Sequence, residues 1–133
     1  NRSQKVIIRD VEKSVFSEML RFIYTGKVSS DESFKSQARK ILIAADKYQL
    51  ELLKKLCEAH LVSTLDSSNC VELLLLGDLH QAANLKMAAL DSISMNLASL
   101  IETDVYKDFH KQHPELSFEV THSIVSNKER NNN

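Results

Sequence analysis

Apolar residues from Val11 onward fall at Val11, Val15, Phe16, Met19, Leu20, Phe22 and Ile23, with Glu12, Lys13, Ser17, Glu18 and Arg21 on the other side. That three-and-four spacing predicts an amphipathic helix, with Asp10 as its cap and Gly26 as its stop. Before it, Lys5 to Ile8 is β-branched and predicts a short strand. A polar loop of serines and acids then leads to a second helix through Phe34, Ala38, Ile41, Leu42, Ala45 and Tyr48. After a break near Lys47 to Gln49, Leu50, Leu53, Leu56, Cys57, His60 and Leu61 mark a third.

Leu65 to Asn69 reads as a loop, and Asn69 with Glu72 has capping-box spacing at the start of a fourth helix, Val71 to Leu79. The run Leu73-Leu74-Leu75-Leu76 points all round that helix, so burial on most sides is expected. A tight turn near His80-Gln81 precedes a fifth helix through Leu85, Ala88, Ala89, Ile93 and Leu97. Shorter helices are expected at Leu97 to Glu102 and Asp104 to Lys111, then one after Pro114 through Leu116, Val120 and Ile124. No internal repeat is evident. The pattern is one of successive helical hairpins.

Composition narrows the class. The 133 residues contain two glycines and one proline, too few for the many turns of an all-β fold. Hydrophobic residues make up 43% and charged residues 26%, which suits a globular domain. A net charge of −1 with no dense basic cluster argues against nucleic acid as a partner. No apolar stretch reaches the roughly 18 residues of a membrane helix, and no signal peptide is recognisable, so an intracellular protein of nucleus or cytoplasm is expected.

Candidate chemistry is sparse. Cys57 and His60 have a Cys-x-x-His spacing without a second pair, and His110, His113 and Asp108 cluster on a charged stretch. Neither supplies a zinc ligand set, so no metal and no cofactor is expected. Cys57 and Cys70 lie among leucines and valines that favour the protonated thiol, and read as reduced core residues. There is no phosphate-binding glycine loop or nucleophile elbow, and no catalytic residue is expected. The remaining class is binding: hairpins whose surfaces receive a partner.

Three stretches narrow this further. VIIRDVEKSVFSEMLRFIYTGKV, ILIAADKYQLELLKKLCEAHL and LLLLGDLHQAANLKMAALDSI, in that order, resemble the latter part of a BTB/POZ domain followed by 3-box and BACK helices, most like the speckle-type POZ protein (MATH-BTB) group. The resemblance runs from Lys5 to about Leu116. It implies a mainly α chain: the C-terminal half of a BTB/POZ α/β fold with one residual strand, then BACK-like helical hairpins. Lys5 to Ile8 matches the last core strand, Val11 to Gly26 the next helix, Phe34 to Leu61 the closing helical pair, and Asn69 to Leu97 the 3-box hairpin. The implied divisions are residues 1–65 (BTB/POZ), 66–125 (3-box/BACK) and 126–133 (disordered polar tail). Asn1 in place of methionine suggests a piece of a larger protein.

The resemblance also implies a role. In that family, cullin-3 docks on the later BTB helices and the 3-box hairpin, while a separate MATH domain recruits the substrate for ubiquitin transfer. The implied partners are therefore the cullin-3 N-terminal region, a second BTB/BACK copy, and substrates held by a MATH domain. Carried over residue by residue, the cullin-3 contacts are Asp46, Lys47, Tyr48, Gln49, Leu50, Leu76, Leu79, His80 and Leu85. Gly77 stands where the family more often has alanine. Alternatives are a BTB transcriptional regulator, which pairs the domain with zinc fingers, and a truncated or competing paralogue.

Overall fold

The computed structural model describes residues 12–29 and 32–131. The expected strand and its Asp10 turn lie outside them. Among the described residues the chain is helical, with no strand. The helices are α1 (Lys13–Thr25), α2 (Glu32–Ser36), α3 (Ala38–Lys47), α4 (Glu51–Ser63), α5 (Cys70–Leu79), α6 (Ala83–Met95), α7 (Leu97–Leu100), α8 (Asp104–Gln112) and α9 (Pro114–Asn131). They form two compact units, Asn1–Ser63 and Thr64–Asn133.

In the first unit α1 ends as its sequence predicts. Gly26 takes the left-handed conformation at φ 70° and its N–H bonds to the Phe22 carbonyl, a geometry that costs a side chain but not glycine. Val15 and Met19 bury the inner face of α1 against α3, where Ile41, Leu42 and Ala45 are fully buried. Ala38 and Ala44 are also buried, and their small side chains let neighbouring backbone come close. The expected second helix is two. The backbone leaves helical geometry at Gln37 (φ −113°), whose amide side chain folds back on the Ser33 carbonyl at 3.0 Å and whose Oε1 takes a hydrogen bond from the Ser14 hydroxyl of α1. A side chain that bonds local backbone competes with the helical ladder, and the helix breaks there.

The second unit centres on Cys70, Val71, Leu74, Ala89, Ile93, Leu100, Tyr106, Phe109, Leu116 and Val120. Tyr106 and Phe109 meet edge-on at 5.5 Å, a favoured aromatic geometry. Of the four leucines, Leu73 and Leu74 are fully buried while Leu75 and Leu76 are half-buried. Gly77 is required by packing: a Cβ there would stand 2.9 Å from the Lys86 backbone nitrogen of α6. Alanine, with its methyl group, does not fit so close an approach.

Two sequence expectations are corrected here. The Asn69–Glu72 capping box does not form, since Asn69 makes no cap bond to its helix. Its Oδ1 accepts the Asp66 N–H at 2.8 Å and its Nδ2 donates to the Thr64 carbonyl at 2.8 Å, so the side chain is spent on closing the loop before α5. The second correction concerns the polar end. Helix α9 continues to Asn131, through most of the stretch expected as a tail; Lys128, Glu129 and Arg130 are good helix formers, and the cations suit the negative C-terminal end of the dipole.

Candidate protein-interaction surface

The turns joining α3 to α4 and α5 to α6 are built alike. In the first, Gln49 is left-handed at φ 57°; in the second, Gln81 is left-handed at φ 55°. The Leu50 N–H reaches the Ala45 carbonyl at 2.8 Å and the Gln49 N–H the Asp46 carbonyl at 3.2 Å; Ala82 to Gly77 at 2.8 Å and Gln81 to Asp78 at 3.4 Å repeat the pair. This is the Schellman arrangement, which satisfies the last carbonyls of a helix and reverses the chain. Each turn carries the same clasp: Lys54 Nζ lies 2.8 Å from Asp46 Oδ1 and Lys86 Nζ 2.9 Å from Asp78 Oδ1. Asp78 also holds the Lys86 ammonium above the usual lysine range, with Glu119 at 3.3 Å helping.

The expected contact residues divide between these turns. In the first, Asp46 is half-buried and clasped to Lys54, Lys47 and Gln49 are exposed, and Leu50 is half-buried. Tyr48 is 37% exposed, and the Lys47 ammonium lies 5.6 Å from its ring centre. In the second, Leu79 is 75% exposed, and Leu76 and His80 are half-buried. Leu85 is fully buried. It lies in the packed core of its unit and presents no surface to a partner, which corrects its expected role as a contact. The sequence reading also missed Leu52 and Met87, both more than half exposed beside these turns. Their signal was present: each occupies a helix position away from the buried stripe, where a polar residue is usual.

The cysteines are as inert as the apolar pattern implied. Burial pushes the Cys57 thiol up to about 12, and Cys70 upward also, the latter partly offset by a hydrogen bond with Ser92. Both are free thiols. Among the described residues no group of three or more His, Cys, Asp and Glu side chains is placed to hold a metal ion. What the turns offer a ligand is shape, apolar tips and a few hydrogen-bonding groups.

Residues 1–65, just under half of the chain, match the BTB/POZ domain family. A BTB/POZ domain is a protein–protein interaction module. More particularly, the chain is similar to two proteins of Mus musculus. It is 42% identical over 121 residues to TD and POZ domain-containing protein 3, covering 91% of this chain and 33% of that protein. With TD and POZ domain-containing protein 5 it shares 43% identity over 109 residues, covering 82% of this chain and 32% of the relative. The chain thus spans about a third of the length of the curated relatives it matches. No described helix is long and apolar enough to cross a membrane.

Proposed function

We propose that the chain is the interaction module of a substrate adaptor for a cullin-3 RING ubiquitin ligase, serving protein ubiquitination and proteasomal degradation. The observation that carries the reading is the hydrogen-bonded hairpin turn in each unit with its exposed Tyr48 or Leu79, in a chain whose first part matches BTB/POZ sequence. In this reading residues 66–125 are the 3-box/BACK region, self-association runs through BTB and BACK surfaces, and a MATH domain outside the 133 residues recruits substrates. The relatives' names, each joining a TD and a POZ domain, support the company of a second domain. The first turn contributes Asp46, Lys47, Tyr48, Gln49 and Leu50 to cullin-3 contact; the second contributes Leu76, Leu79 and His80.

Polypeptides carrying residues 1–133 are tested for capture by the immobilised cullin-3 N-terminal region. Tyr48→Glu and Leu79→Glu are each expected to weaken capture by roughly tenfold, the effect of losing an anchor at an interface centre. Both positions are exposed, so the fold survives. Failure of the unsubstituted polypeptide to bind removes the cullin-3 reading; binding indifferent to both substitutions removes the assignment to the turns.

A further inference from the structure

The second unit holds a cleft of about 550 Å³ that the turns do not share. One side is apolar, made by Leu97 and Ile101 at α7 and by Ile124 and Val125 of α9. The other is basic, made by Lys107, His110 and Lys111 of α8, and no carboxylate lines the cleft. Its floor is polar but closed upon itself: the Tyr106 hydroxyl bonds to the Ser117 side chain, and His110 Nδ1 and Ser117 Oγ share a hydrogen bond of 2.7 Å. Ser117 and Tyr106 are both buried. With those groups satisfied, the floor makes no demand on an occupant's polar atoms.

The rim does make a demand. Among the described residues neither Lys107 nor Lys111 forms an ion pair. Ile101 and Val125 are about half exposed, and together with Ile124 they leave an apolar strip beside two such cations. An occupant that removes the strip from water and answers the charge must be apolar along one edge and acidic along the next. The walls are helices, with no strand edge among the described residues to pair with an extended peptide. Helix-in-groove docking, with aliphatic anchors three, four and seven residues apart, is the mode that fits.

We infer that this cleft docks an amphipathic acidic helix of a partner protein, its aliphatic side chains on Ile101, Ile124 and Val125 and its carboxylates on Lys107, His110 and Lys111. The inference rests on the chain being an interaction module and is independent of cullin-3, since no residue of either turn takes part.

Two fluorescein-labelled helical peptides of equal length and identical leucine spacing test it, one with glutamates flanking the leucines and one with lysines. Fluorescence anisotropy is expected to show the lysine peptide binding at least about tenfold more weakly, because like charges oppose it. Binding of the glutamate peptide should weaken as salt rises, as exposed charges are screened. The double substitution Lys107→Glu, Lys111→Glu is expected to invert the preference, and Val125→Glu to weaken the glutamate peptide by a similar factor. Ile101→Ser serves as a milder second variant, with circular dichroism showing that each remains folded. Equal binding of the two peptides, or a preference that survives the double substitution, overturns the proposal. So does self-association of the chain that Val125→Glu abolishes, which would make a second copy the occupant.

Discussion

At Cys57 a fully buried sulfur turns packing into a dependence on alkali. Its thiol keeps its proton in the fold to about pH 12, against an ordinary value of 9.0. Below 9.0 both folded and unfolded chains hold that proton, and the full stability is present. Above it the unfolded chain alone releases the proton, so the fold loses on the order of 1.4 kcal/mol for each pH unit climbed until the folded thiol ionises too. Lys86, held above its usual range, loses its contribution in the same direction, beginning above the ordinary 10.5 where the unfolded chain alone deprotonates. Urea titrations at pH 8 and pH 10.5 are therefore expected to show a steeper fall for the unsubstituted chain than for Cys57→Ala; equal falls would contradict the assignment. The burial of this thiol was legible in the sequence from its leucine-rich surroundings. Leu85 was not, because a leucine beside a turn is equally at home in a core or on an interface, and only packing decides.

Among the elements, the hairpins were legible and their kinship was not. Periodicity located α3 to α6 because each has a buried stripe at helical spacing. The repeated turn escaped notice because its two copies share only Asp46 with Asp78, Gln49 with Gln81, Leu53 with Leu85 and Lys54 with Lys86, with dissimilar residues elsewhere between. Backbone hydrogen bonds, which the sequence does not write, carry the resemblance. The loop at Asn69 was misread for a related reason: an asparagine serves a loop or a cap equally well, and the choice is made by which N–H groups come within reach. Gln49 and Gln81 both occupy left-handed backbone that disfavours a Cβ. Gln49→Gly and Gln81→Gly are each expected to stabilise the chain by about 0.5–1 kcal/mol, raising its denaturant midpoint. A lowered midpoint would show instead that the glutamine side chains hold the turns together.

For the whole molecule, the order of helices and the class of function could be read from the sequence, while the division into surfaces could not. Three motifs in sequence were enough to imply an interaction module. The cleft on the second unit was invisible because it brings together α7, α8 and α9, whose joint geometry no local pattern encodes. The second unit has a core of its own, from Cys70 to Val120. Residues 64–133 expressed alone are therefore expected to give a helical circular dichroism spectrum and a cooperative thermal transition; a gradual, featureless melt would show that this core does not suffice.

The matched turns also bear on how such a chain can change over generations. Their course is set by main-chain bonds and by one aspartate–lysine clasp apiece, while Tyr48 and Leu79 project without shaping the reversal. Substitutions at those tips are thus buffered from the fold. Under the proposed function, partner preference would diverge among descendants of one ancestor while the frame that presents it stays the same.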